Sequence, residues 1–349
     1  MKKILNGLSK LSLVMERIER LLKNLSESYA ITGQESAIFE LVKAELNGCC
    51  DSIFSDQFGN IIAFKKGRKD GSVLIACHLD EIGFMVRDIE SGYLRITRLG
   101  GSDPRILPGQ TVVILTEPMI SGVIGIKPPH YTTREEREKV IPLDELFVDT
   151  GLDVKRLKKR VKIGDFIGLE SSYLKLHGSF RSGKAFDNRV GVTCGIEILR
   201  QAKPTLDLYL ILTSQEEFTG LGATITSYKI DPDYAIVIDC THGTHPGYSG
   251  HETFQMDKGP VLATGPALDR ELLKKIKKTA QDLKISYQIE PIPRQTGTDA
   301  DSITLVRQGI RTMLVEVPIR YMHSPVEVVC LKDIEKTVRL LREFLSRDL

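Results

Sequence analysis

The 349-residue chain has no apolar stretch approaching the roughly 20 residues that a membrane-spanning helix needs. It has no surplus of either charge, since 48 Lys and Arg against 46 Asp and Glu leave a net of +2. That balance offers no electrostatic footprint for nucleic acid or an anionic membrane. It has no CxxC spacing: the six cysteines, Cys49, Cys50, Cys77, Cys194, Cys240 and Cys330, are scattered along the chain. This argues against a disulfide framework and for reduced thiols in a cytoplasm. No small-residue cleavage site follows the Met-Lys-Lys start, and Asn6, Lys10 and Glu16 break every candidate apolar core, so a signal peptide is not expected. Internal repeats and low-complexity segments are absent too. What is present is an ordinary globular composition, 41% hydrophobic and 27% charged, with length enough for two domains.

Near the start, Ile4, Leu8, Leu11, Met15, Ile18, Leu22 and Leu25 recur at alternating spacings of four and three, which is one face of a helix. The stripe fits packing against its own domain, and it also fits a contact between subunits. Four apolar runs then stop at polar or acidic clusters. They are 73–77 before His78-Leu79-Asp80, 206–212 before Gln215-Glu216-Glu217, 234–238 before Asp239, and 313–317 before Arg320-Tyr321-Met322-His323. Continuous Val/Ile/Leu runs mark strands buried on both faces, as in a parallel sheet. Helical patterns lie between and after them over 189–202, 269–284 with Asp269 as cap, 299–308 and 332–347. The alternation predicts an α/β fold, a mixed and largely parallel sheet flanked by helices, with ligands gathering beyond the strands' carboxyl ends. Residues 81 to about 176 read differently. Frequent glycines punctuate short β-like pieces such as 93–98, 111–115 and 122–126, predicting a small inserted β-rich domain. The charged stretches 132–139 and 155–160 read as solvated faces.

Each candidate functional residue has a plain reading beside a chemical one. His78 and Asp80, two apart on a strand end, form either a hydrogen-bonded pair at a sheet edge or a metal-ligating histidine with its tuning carboxylate. Asp187 opens a helix and on its own reads as a cap. Glu216 and Glu217 read singly as exposed surface, while after a buried strand one can bind a metal and the other reach a water. Asp239 and His323 are ambiguous alone. Together, two histidines and three carboxylates at one end of one α/β unit make a nitrogen-and-oxygen donor set. It suits two zinc or cobalt ions better than calcium or an iron–sulfur cluster. One carboxylate would bridge, leaving Glu216 as a base.

The segments His78–Val86, Gly100–Gly109, Ala185–Gly191, Ser214–Ala223, Gly297–Ala300 and Arg320–Ser324 resemble, in order, those of the TET aminopeptidases. These are dinuclear metallopeptidases that include the deblocking and glutamyl aminopeptidases, and the resemblance spans roughly residues 20–345. It implies His78, Asp187 and Asp239 on one metal and Asp187, Glu217 and His323 on the other. Asp187 then bridges, Glu216 is the general base, Asp80 supports His78, and Gly297, Thr298 and Arg320 contact substrate. It also implies a catalytic domain of residues 1–80 plus 177–349, a dimerisation domain of residues 81–176, and twelve subunits enclosing a hollow tetrahedron. The loop carrying His242, His245 and His251 departs from expectation and reads as a polar loop, with a metal or substrate role as the alternative.

The chemistry so expected is metal-assisted hydrolysis of an N-terminal peptide bond, with one metal able to receive the substrate's free α-amine and a neutral or aliphatic residue such as leucine preferred. Arg294, just before Gly297, would favour acidic residues if it lined the pocket. The rival readings are a metallo-carboxypeptidase or deacylase, a glycoside hydrolase using Glu216 and Glu217, and a non-catalytic scaffold.

Overall fold

In a computed structural model of the chain, residues 2–250 and 252–347 are described, residues 2–11 in their backbone only. The centre is four parallel strands, in spatial order Asp207–Thr213, Ser72–His78, Tyr234–His242 and Arg311–Arg320. Antiparallel strands extend the sheet on both sides: Ile61–Lys65 and Ser52–Ser55 beyond Asp207–Thr213, and Glu327–Cys330, Phe180–Gly183 and Leu174–Lys175 beyond Arg311–Arg320. A branch, Val261–Thr264 with Gln288–Pro291, also pairs with Arg311–Arg320. The sheet is therefore mixed with a parallel centre, as the buried runs predicted.

Because successive side chains on a strand point to opposite faces, the runs sort into two layers. Val73, Ile75 and Cys77 share a core with Leu208, Leu210, Ile236, Ile238, Met313 and Val315. Over this face lie the helices Lys2–Ser26, Phe186–Gln201, Arg270–Leu283 and Leu331–Leu345. Leu74, Ala76, Ile211, Ala235, Val237 and Leu314 face the other way, against Ala223 of Leu221–Ile230 and Ala300 and Ile303 of Asp299–Thr304. Burial on both faces explains why the runs do not alternate with polar residues.

The described half of the N-terminal stripe packs on this core: Ile18, Leu22 and Leu25 are fully buried and Met15 partly so. The side chains of Ile4, Leu8 and Leu11 lie outside the described residues. Asp269 caps Arg270–Leu283, accepting from the Leu272 N–H at 2.8 Å. The expected helix 299–308 is shorter, Asp299–Thr304, because the chain turns at Arg307 with φ +54° and Gly309 with φ +94°. Asp239 is likewise not at a strand end. Its strand continues to His242, paired with Ile319.

Between Gly83 and Leu169 the chain forms a closed barrel of six strands, Gly83–Glu90, Tyr93–Leu99, Phe147–Asp149, Ile120–Gly125, Thr111–Ile114 and Phe166–Leu169. Its own core contains Phe84, Leu94, Ile96, Val112, Ile124, Val148 and Ile167. The charged stretch 132–139 is exposed almost throughout. Of residues 155–160 only Leu157 is buried.

Candidate metal centre

Register builds the site. On the four central strands, Thr213, His78, Asp239 and Glu316 share the parity of Ile211, Ala76, Val237 and Leu314, so they face the same side. Thr213 pairs with His78 and Asp239 with Glu316. Asp239 lies two residues past Val237, and His78 two past its partner Ala76, so these two are level as well. The sheet thus presents one row of four polar side chains across its four central strands.

Asp187 enters this row from the start of Phe186–Gln201, where Asp187 and Asn188 are not helical. The cap is Asn188, whose Oδ1 accepts from Gly191 N–H at 2.9 Å. Asp187 is thereby released from the capping role it suggests in isolation. Its Oδ1 lies 3.1 Å from His78 Nε2 and its Oδ2 3.4 Å from His323 Nε2. His78 Nε2 is 3.7 Å from Asp239 Oδ1, and His323 Nε2 is 3.2 Å from Glu217 Oε1. Two triplets result, His78–Asp187–Asp239 and Asp187–Glu217–His323, the ligand atoms of each lying within 4.8 Å of one another. Asp187 belongs to both, offering a different oxygen to each histidine.

Behind the triplets a buried scaffold of acceptors aims them. Asp80, fully buried, accepts from Glu216 N–H through Oδ1 and from Glu217 N–H through Oδ2, both at 3.1 Å. Its Oδ1 is 3.6 Å from His78 Nδ1, and its backbone carbonyl is 3.2 Å from that nitrogen. Three further residues, none of them a candidate from the sequence, do similar work. Glu327 accepts from the N–H of Asp187 at 3.1 Å and of His323 at 2.7 Å, tying the two together. Glu35 accepts from Gln215 N–H at 3.0 Å, and Asn60 from Ser214 N–H at 2.8 Å. A signal for Glu327 exists, an acid opening the apolar run Glu327-Val328-Val329-Cys330. Glu35 and Asn60 have none.

The charge balance calls for a cation. Burial works to raise the Asp187 carboxyl, but hydrogen bonds with His323 and His78 reverse this and hold it below the usual range. Burial pushes Asp239 up to about 8, with His78 opposing and Asp187 adding to the rise. Glu216 is pushed up to about 10 by burial, with the Asp239, Asp299 and Glu217 carboxylates adding to it. Burial lowers His78 and His323, yet the surrounding carboxylates outweigh it and raise both. The acidic groups of this pocket outnumber its histidines. Divalent ions on imidazole and carboxylate donors relieve that imbalance and fit the donor set.

A cavity of about 480 Å³ opens over the triplets. Glu216, in neither triplet, lines it, as do Gly297, Thr298 and Arg294. Arg320 does not: its Nε donates to the Thr244 carbonyl at 2.8 Å and its guanidinium lies over the Phe180 ring. His242 borders the cavity, while His245 packs between Tyr248 and Tyr321. His251 lies outside the described residues.

Residues 59–340 match the family described as M42 glutamyl aminopeptidase. The lysyl aminopeptidase of Pyrococcus furiosus is 33% identical over 334 residues, covering 93% of this chain and 96% of the relative. An aminopeptidase from the archaeon Desulfurococcus kamchatkensis superposes with a TM-score of 0.90 at 32% identity, covering 96% of both chains. The Pyrococcus horikoshii TET1 peptidase, described as assembling into a tetrahedron or a large octahedral shell, superposes with a TM-score of 0.84 at 30% identity, covering 95% of this chain and all of that one. A matched fold, a family match across most of the chain and a nitrogen-and-oxygen donor pocket agree: the chain belongs to the M42 glutamyl aminopeptidase family and is a metallo-aminopeptidase.

Proposed function

We propose that the enzyme works with two divalent ions per subunit, zinc or cobalt, one on His78, Asp187 and Asp239 and the other on Asp187, Glu217 and His323. The observation that carries this reading is Asp187, whose two carboxylate oxygens turn to different histidines. When bound, such ions supply polarisation of the scissile carbonyl and lower the pKa of a water from about 15.7 toward about 7. With the charge of bound ions offsetting the neighbouring carboxylates that raise it, Glu216 would be ionised, take the proton of the attacking water through Oε and return it to the leaving amine, a role for which a positioned carboxylate contributes about 100- to 10,000-fold. Asp80 keeps Glu216 and Glu217 in place through their backbone N–H groups and steadies His78. Gly297 and Thr298 border the path of the peptide. Arg320, which donates to the Thr244 carbonyl, holds the neighbouring loop.

Around this centre we place a catalytic domain of residues 1–80 plus 177–349 and an association domain of residues 81–176. The latter exposes Met119, Tyr131, Val140 and Ile163, apolar side chains that a contact between subunits would cover. A closed homo-oligomeric shell like that of the Pyrococcus horikoshii relative follows, admitting unfolded peptides and excluding folded proteins. The substrate's first side chain is not chosen by membership alone, since the family is described as glutamyl and the Pyrococcus furiosus relative as lysyl. The neutral or aliphatic preference expected from the sequence has little behind it in the cavity, where carboxylates dominate one wall.

The test is a comparison of free-amine and N-acyl aminoacyl substrates before chelation, after it, and after zinc or cobalt is restored. Hydrolysis of the free-amine series alone, lost on chelation and regained with metal, is expected. Turnover that survives chelation, or a preference for N-acyl substrates, would overturn the reading.

A further inference from the structure

Glu316 takes no part in the chemistry above, yet it stands on the same row as the ligands. It is paired in register with Asp239, one strand over and on the same face. It is 4% exposed, it lines the cavity, and its carboxyl receives no donor from the described residues and meets that of Glu290. A buried acceptor left unsatisfied costs its full desolvation, so a group so placed marks where a ligand donates. Glu290, on Gln288–Pro291, borders the same wall and is held there by Thr241 Oγ1, which donates to its Oε2 at 3.0 Å. Arg294 is exposed on the cavity lining and makes no hydrogen bond or ion pair with either carboxylate. The wall beside Asp239 therefore carries two carboxylates that pair with no described cation, not even Arg294, the cation on the same lining that would favour an acidic side chain.

We propose that Glu316 and Glu290 form the pocket for the first side chain of the substrate and select a cationic one, lysine or arginine. The inference rests on the aminopeptidase reading, which brings a peptide N-terminus to the ligands and so its side chain to the adjoining wall. An ammonium or guanidinium supplies the donors that Glu316 lacks and the charge that two facing carboxylates require. A leucine side chain would bury both carboxylates with nothing in exchange. A glutamate would add a third negative charge.

The experiment uses the metal-loaded enzyme and the p-nitroanilides of lysine, arginine, leucine and glutamate. The expected kcat/KM for lysine or arginine exceeds that for leucine by at least about tenfold, with glutamate slowest. In E316Q, and separately in the less buried E290Q should E316Q fail to fold, the lysine-to-leucine ratio falls about tenfold or more. Preference for leucine or glutamate in the wild type overturns the pocket and leaves the aminopeptidase reading intact. A ratio unchanged in the folded variants, as when the carboxylates hold the α-amine common to all substrates, also overturns it. Absence of turnover on the whole free-amine panel sinks both readings together.

Discussion

Replacing Asp80 with asparagine tests whether the site is held in place from behind. The carboxylate is fully buried, and each of its oxygens accepts one backbone N–H, from Glu216 and from Glu217, at 3.1 Å. Asparagine keeps one acceptor and turns an amide –NH2 toward the other N–H, so one charge-assisted hydrogen bond is lost and two donors face each other. Such a bond is worth about 1.5–3 kcal/mol, and stranding a buried donor costs a similar amount. D80N should therefore unfold at a free energy lower by roughly 3–6 kcal/mol. The functional loss should exceed what stability explains, because the displaced segment carries both Glu216 and Glu217. We expect kcat to fall by at least about a hundredfold at a temperature where the variant remains folded, since small misplacement of catalytic groups costs that much. The assay is denaturant unfolding beside steady-state hydrolysis of an aminoacyl p-nitroanilide on metal-saturated enzyme. D80N with wild-type kcat and wild-type stability would refute the positioning argument.

Glu216→Gln should retain its full metal complement and lose about two to four powers of ten in turnover; loss of an ion by metal analysis would instead make Glu216 a ligand. Asp333, fully buried and accepting from Asp257 and Gly259 N–H, is pushed up to about 6 by burial. A raised carboxyl binds its proton more tightly in the folded state, so its contribution is present below about pH 4 and lost as pH rises through about 6. The difference in unfolding free energy between wild type and Asp333→Asn should accordingly move by about 3 kcal/mol across that window, favouring wild type at the acid end; a difference independent of pH would contradict it. Light scattering should give a closed assembly on the order of twelve subunits, with cleavage falling sharply from short peptides to folded proteins. A fully active monomer would remove the shell and leave the metal centre standing.

The elements legible in the sequence are those whose burial leaves a local mark. The runs at Ser72–His78, Asp207–Thr213, Tyr234–His242 and Arg311–Arg320 are apolar because both faces are covered, and the polar residues that follow them mark the site. The barrel announces itself through its turns. Asp187 leaves an ambiguous mark, since an acid at a helix start is an ordinary cap unless a neighbour such as Asn188 does that work. Where the acceptors sit far from their donors in sequence, nothing local betrays them: Glu35 reaches Gln215 and Asn60 reaches Ser214 across more than 150 residues. Glu316 did leave a trace, an acid inside the run Met313-Leu314-Val315-Glu316-Val317. Its meaning depends on the register that sets it beside Asp239, and pairing between distant strands is written in no single segment.

The two-ion centre turns on Asp187, and counting metal per chain tests it most directly. Chelated enzyme restored with zinc or cobalt should bind two ions per chain by atomic spectroscopy or calorimetry, and Asp187→Ala should lose occupancy at both sites. Wild-type enzyme that saturates at one ion, or an Asp187→Ala variant that keeps one site full with substantial turnover, would contradict the shared carboxylate on which the account rests.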